Sequence, residues 1–142
     1  MADRPVLGNL WNIGCKVADV GTEVTFLERL GGRLRLHETL PGLDGPIEYA
    51  IVDLGSTRIL LTPTPVFESR LGRPLAAGLT HAVFEVDDHA AACATIERAG
   101  ARPLTPPRTL QAAFGRRDVA FFESPGGLVF EALRIIEDRL GS

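Results

Sequence analysis

An internal repeat constrains this chain more than any other feature. Val17-Ala18-Asp19 returns sixty-nine positions later as Val86-Asp87-Asp88, and Glu28-Arg29-Leu30-Gly31-Gly32-Arg33 returns as Glu97-Arg98-Ala99-Gly100-Ala101-Arg102. Between these landmarks Val20, Val24, Leu27 and Leu30 correspond to His89, Cys93, Ile96 and Ala99, at the spacing of one helix face. Asp19 and Asp88 stand where an N-cap is expected, because a short acidic side chain can accept a hydrogen bond from the unpaired amides of the first turn. Gly31-Gly32 stops the first helix. Residues 10–18 and 79–86, ahead of the caps, read as strands.

A length of 142 residues suits one domain with a single core, so the two copies are halves of one fold. After the first helix the chain reads as a strand at 33–38, a loop at 41–46, a β-rich run at 48–54, a turn at 55–57 and a strand at 58–62. The second half has an edge strand at 102–110 broken by prolines, a strong strand at 117–122, a turn at Ser124-Pro125-Gly126-Gly127 and a last strand at 128–133. Each half is therefore βαβββ, with modules at about 10–63 and 79–134. Residues 64–78, with their prolines and glycines, read as a linker, and residues 135–140 as an amphipathic tail of one or two helical turns. One helix covers only one face of a module's sheet, and the other face stays bare until a second module joins it. The expected fold class is α+β, two tandem modules whose curved sheets enclose a cup, with a ligand site in that cup.

Composition excludes several functions. At 45% hydrophobic and 23% charged residues the chain has the balance of a soluble protein. A net charge of -3 with scattered arginines gives no general attraction for nucleic acid or anionic lipid. No apolar run approaches the roughly 20 residues that span a bilayer. The opening residues lack a secretory pattern, and a cytoplasmic location is expected. Cys15 and Cys93 are too few for a disulfide scaffold or a CxxC motif and read as reduced packing residues. Glycine-rich phosphate cradles, Ser-His-Asp order signatures and HExxH are missing.

The strand-Asp-helix openings at 12–19 and 81–88, together with Ser124-Pro125-Gly126-Gly127-Leu128-Val129-Phe130-Glu131, resemble the vicinal oxygen chelate superfamily of glyoxalases, bleomycin-resistance proteins, extradiol dioxygenases and methylmalonyl-CoA epimerases. The octapeptide looks like the family's closing Pro-x-Gly turn and terminal acidic ligand. The resemblance runs from about residue 10 to 133. It implies that, in metal-dependent members, four side chains enter the cup from the first and last strands of each module, here Asn12, Leu60, His81 and Glu131. Of these only His81 and Glu131 keep ligand chemistry. A divalent catalytic site normally takes at least three protein donors, so no firmly held cofactor is expected, with Glu48 the one nearby carboxylate able to serve as a third donor.

Strand alternation about those positions selects the lining: Asn12, Gly14, Lys16 and Ala18; Arg58, Leu60 and Thr62; His81, Val83 and Glu85; Val129, Glu131 and Leu133. By the same parity Trp11 faces away, and the aromatic lining falls to Phe114, Phe121 or Phe122. Glu131, on an otherwise apolar strand, must find a partner or have its proton affinity raised. A raised affinity suits a general acid or base, with His81 beside it as a second proton carrier; alternatively the two form a structural hydrogen-bonded pair. Lys16 and Glu85, equivalent in the repeat, could form an ion pair at the mouth, and Arg58 could clamp a substrate carboxylate. One of Glu48 and Tyr49 should point inward. His37 and His89 are placed outside the site, and residues 114–118 form a hairpin tip that could close over a ligand.

Two functions follow. The first is a lyase or isomerase using Glu131 and His81 beside a carbonyl or carboxylate of a small organic substrate, with Asn12, Lys16, Glu48, Arg58, Leu60, Glu85 and Phe122 as substrate contacts. The second is a metal-free binding protein that sequesters an antibiotic or aromatic metabolite. A homodimer is the expected assembly.

Overall fold

The computed structural model describes residues 5–141. Residues 1–4, which carry most of the opening read above as lacking a secretory pattern, lie outside the described residues. The first half consists of β1 (Leu10–Lys16), α1 (Val20–Arg29), β2 (Arg33–Pro41), β3 (Pro46–Leu54) and β4 (Thr57–Thr62). A short α2 (Glu68–Leu71) follows, and then β5 (Gly78–Glu85), α3 (His89–Arg98), β6 (Arg102–Pro103), β7 (Arg108–Ala112), β8 (Gly115–Glu123) and β9 (Val129–Asp138).

Both caps form as the repeat predicts. The Thr22 amide donates to Asp19 Oδ2 at 2.8 Å and the Ala91 amide to Asp88 Oδ1 at 3.1 Å. Helix α1 buries Val20, Val24 and Leu27 against Ala50, Val52 and Leu61. Helix α3 buries Ala92, Cys93 and Ile96 against Ala120, Phe122, Phe130 and Ala132. Cys93 is thus a packing residue. His89, in the first turn of α3, is buried with its Nε2 3.1 Å from the Ala132 carbonyl oxygen.

All strands join one sheet in the order β2-β3-β4-β1-β5-β9-β8-β6, with β7 paired to β8. Strands β1 and β4 are parallel, as are β5 and β9, and the antiparallel β1–β5 seam joins the two halves within one chain. The sheet curls into a half-barrel until β2 meets β7 across the open side. Helices α1 and α3 cover its outer face, and an inner core of Leu40, Tyr49, Ile51, Val83, Val119 and Leu133 fills much of the concavity.

Three segments differ from expectation. Residues 64–78 are not a free linker: Phe67 and Leu71, at 0% and 3% exposure, pack with Leu104, Phe121 and Val129. The tail is not helical, because β8 extends far enough to pair with it, Arg117 opposite Ile135 and Gly115 opposite Asp138. The proline-broken strand splits into β6 and β7, since Pro106 and Pro107 lack the amides that would continue the ladder. Among the described residues no helix is long and apolar enough to cross a membrane.

Candidate active site

Four adjacent strands, β4, β1, β5 and β9, form the floor of the concavity. Each sends one of the four expected side chains into it: Leu60, Asn12, His81 and Glu131 all line one cavity holding about 660 Å³ of atom-free space, its open mouth included. The register explains the convergence. Gly14 lies opposite both Leu60 and His81, and Val83 lies opposite both Asn12 and Glu131.

Gly14 is required by His81. A Cβ at position 14 would stand 2.0 Å from Cε1 of the imidazole, closer than atoms can approach, so the ring occupies the space that a missing side chain provides. Phe67 and Phe121 meet the ring at centroid distances of 5.1 and 5.5 Å, and Nδ1 lies 3.0 Å from Thr80 Oγ1. Burial among these groups pushes the imidazole down to about 4, so His81 is neutral at physiological pH.

Glu131 shifts the opposite way. Loss of solvent raises its carboxyl to about 8, although the charges of Arg108 and Arg117 pull it back down. No hydrogen bond joins its carboxylate to any described residue, and the structural His81–Glu131 pair is not formed: His81 turns its Nδ1 to Thr80 instead. An unpartnered carboxyl that titrates near neutrality can both donate and accept a proton.

Several placements differ from strand parity. Trp11 lines the cavity beside Asn12, because a bulge between Leu10 and Asn12 breaks the β1–β5 register and brings two successive residues to the inner face. Phe122 lies under α3 with Phe130, and Phe121 is the inward aromatic. Tyr49 is the buried member of its pair: it meets Phe114 at 5.6 Å, and burial raises its phenol to about 12. Glu48 faces outward, 47% exposed and 2.7 Å from His37 Nε2, too far around the strand to complete a metal set.

The expected Lys16–Glu85 pair is also not formed. Lys16 donates to Glu68 Oε2 at 2.9 Å and to the Leu75 carbonyl at 2.8 Å, anchoring the segment between the halves. Glu85 lies beyond the cavity beside residues 5–9, near enough to Arg117 to favour its charge. Arg58, expected as a carboxylate clamp, is not among the residues that line the cavity; it lies over Trp11 at 4.7 Å and its Nε donates to Asp53 at 3.1 Å.

Trp11, Arg108 and Arg117 are among the lining residues that parity about the ligand positions misses, with the apolar Leu40, Pro65, Val66, Leu110 and Val119. Arg117 alternates with Val119 and Phe121 along β8, and extending the inward pattern to that strand would have found it. It is 1% exposed. Its Nη2 donates to the Phe114 carbonyl at 2.9 Å and to Asp138 at 3.1 Å, and its Nη1 to the carbonyls of Arg116 and Glu137. Its Nε and Asn12 Nδ2 are both buried without a partner.

The family's metal does not fit these donors. Among the described residues no three His, Cys, Asp or Glu side chains come close enough to hold an ion, Leu60 offers no donor, and the Asn12 amide is a weak one.

A curled sheet of tandem βαβββ halves around an inner cup is the architecture of one superfamily. Residues 13–132 match the Glyoxalase/Bleomycin resistance protein/Dioxygenase superfamily, and the chain belongs to that superfamily. No curated protein sequence matches the chain. Among solved structures, methylmalonyl-CoA epimerase from Mycobacterium tuberculosis superposes with a TM-score of 0.72 at 20% identity, covering 96% of this chain and 94% of the other. A methylmalonyl-CoA epimerase in complex with methylmalonyl-CoA and NH4+ gives 0.69 at 20% identity, with 96% and 99% covered. A hypothetical protein from Bacillus halodurans gives 0.69 at 20% identity, with 94% and 98% covered. At such identity the likeness is one of fold.

Proposed function

We propose that this protein is an enzyme of isomerase or lyase type that uses Glu131 as the acid and base beside a carbonyl of a small organic substrate. The observation that carries the proposal is Glu131 itself, half-buried in a largely apolar cup, free of hydrogen bonds to described residues, with its carboxyl raised to about 8 by desolvation. At pH 7 a group with that value is ionised in roughly a tenth of molecules, so base and acid forms both occur. The ionised form can take a proton from carbon next to the carbonyl. Delivery of a proton to the opposite face of that carbon, or to another atom of the enolate, gives an isomer, and expelling a neighbouring group gives a lyase product.

Removing that proton places negative charge on the carbonyl oxygen. Asn12 Nδ2, buried without a partner, can donate to that oxygen where little water competes. Neutral His81 can hold the substrate by hydrogen bonding without adding charge. Methylmalonyl-CoA, the ligand of a structural neighbour, is one compound to assay.

The test is hydrogen exchange in deuterated water over a panel of carbonyl compounds that includes methylmalonyl-CoA. Wild type should catalyse exchange next to the carbonyl, and Glu131→Gln should lose about a hundredfold or more of the rate while retaining binding. Equal exchange by both proteins would remove Glu131 from the chemistry. A binding protein is the second reading, favoured by Leu60 where the family places a metal ligand; it requires ligand capture with no exchange by either protein.

A two-fold pair is the assembly that suits the outer face. Leu10, Leu79 and Leu128, at 51%, 75% and 54% exposure, form with Ile13 and Phe84 an apolar hollow over the β1–β5 seam. That seam relates the two halves and is thus suited to self-association by a second copy. Light scattering should give a dimer mass that Leu79→Asp converts to monomer; a monomeric wild type would refute the pairing.

A further inference from the structure

The charges around the cup do not balance. Arg58 and Arg117 have aspartates as partners, Asp53 and Asp138. Arg108 also lines the cavity, but its Nη2 donates to the Pro41 carbonyl at 2.8 Å, and no described carboxylate forms an ion pair with it. Glu131 senses the charge of Arg108 across the cup, but among the described residues no hydrogen bond or ion pair joins the two, and the Arg108 guanidinium bonds the Pro41 carbonyl instead. The cup therefore combines an apolar wall, a guanidinium with no ion-pair partner among the described residues and the buried unpartnered Nε of Arg117.

A buried donor without a partner costs stability unless something accepts from it, and a guanidinium at the cavity wall without an ion-pair partner favours an anion that can accept from it. Trp11 adds an aromatic wall, with the guanidinium carbons of Arg58 and Arg117 over its ring at 4.7 and 5.5 Å from the centroid. We propose that the cup binds a small organic carboxylate, its anionic end facing Arg108 and its apolar or aromatic body lying against Trp11. That the carboxylate is the substrate rests on the acid/base reading above; that it binds does not.

Trp11 is the one tryptophan of the sequence, so its emission reports directly on the cup. Fluorescence titration with 3-phenylpropionate, hexanoate and the neutral 3-phenylpropionamide should show the phenyl carboxylate binding about ten- to a hundredfold more tightly than its amide. Arg108→Gln, checked for folding by circular dichroism, should abolish the preference. Glu131→Gln should preserve it, so a failure of the catalytic reading and a failure of this site give different results. Equal affinity for acid and amide, no response to either carboxylate, or a preference that survives Arg108→Gln would overturn the proposal.

Discussion

At the inner face of the first half stand Asn12 and Leu60, and at the same places of the second half stand His81 and Glu131. Beneath them the scaffolds are near equivalents. Each half starts with a strand, caps its helix through an aspartate bonded three residues on, and pairs its first and last strands in parallel. Outward-facing core positions on each strand must fit a helix, and duplication preserves that demand. Inward-facing positions meet only the cup, so they diverge without unfolding the halves. The first half contributes a wall, an amide and a base for Trp11, whereas the second contributes both titratable groups of the cup floor.

The largest expected loss concerns the segment that joins the halves. Phe67 is fully buried against His81 and Phe121, and Phe67→Ala should cost about 3 to 5 kcal/mol in urea unfolding. A loss below about 1 kcal/mol would return residues 64–78 to the status of a linker, and the second half's histidine would then need another explanation for its desolvation.

The asymmetry itself can be reversed. Asn12→His with Leu60→Glu would give the first half the kind of donors that the second retains, completing four ligands on four adjacent strands. Zinc or nickel should then stabilise the double variant by about 3 kcal/mol at a hundredfold excess over Kd, read by thermal shift with and without metal, and wild type should show no such shift. If the double variant also fails to respond, side-chain identity is not what separates the halves.

The acid-base behaviour of the cup floor should come from the second half, through His81 and Glu131. His81 titrates near 4 when folded, below the 6.5 of a free imidazole, so the unfolded chain takes the proton first and stability falls as pH drops from 6.5 toward 4. Glu131 titrates near 8 when folded, above 4.5, so the folded chain holds the proton longer and stability falls as pH rises from 4.5 through 8. Glu131→Gln should remove the alkaline decline, a change on the order of 2 kcal/mol or more, and leave the acid one. An unchanged alkaline limb in urea titrations from pH 5 to 9 would show that Glu131 is hydrated in solution.

The repeat makes the scaffold legible from sequence because caps and helix faces obey local rules: Asp19, Asp88 and the apolar spacings need no tertiary information. Convergence of Asn12, Leu60, His81 and Glu131 is legible through strand alternation joined to the family resemblance. Trp11 escapes because a bulge inverts the parity on which that reading depends, and no residue type announces it. Phe121 and Phe122, or Glu48 and Tyr49, are adjacent in strands with apolar residues on both faces, so alternation alone cannot choose between them. Arg108 escapes because the strand read at 102–110 is broken by prolines, and a broken strand carries no continuous alternation from which its inward face can be chosen.

The smallest effect compares two positions that the repeat makes equivalent, Lys16 and Glu85. Lys16 holds Glu68 and the Leu75 carbonyl, and the Leu75 amide in turn donates to Glu68 at 3.1 Å, so one ammonium and one carboxylate tie two residues of the joining segment together. Glu85 has no such partner. Lys16→Met should therefore cost about 1 kcal/mol, because a partly buried carboxylate loses its counter-charge, while Glu85→Gln should change stability by less than about 0.5 kcal/mol. Equal effects at both positions, measured by urea unfolding at one pH, would mean that the lysine network is solvated rather than structural, and the joining segment would then depend on Phe67 and Leu71 alone.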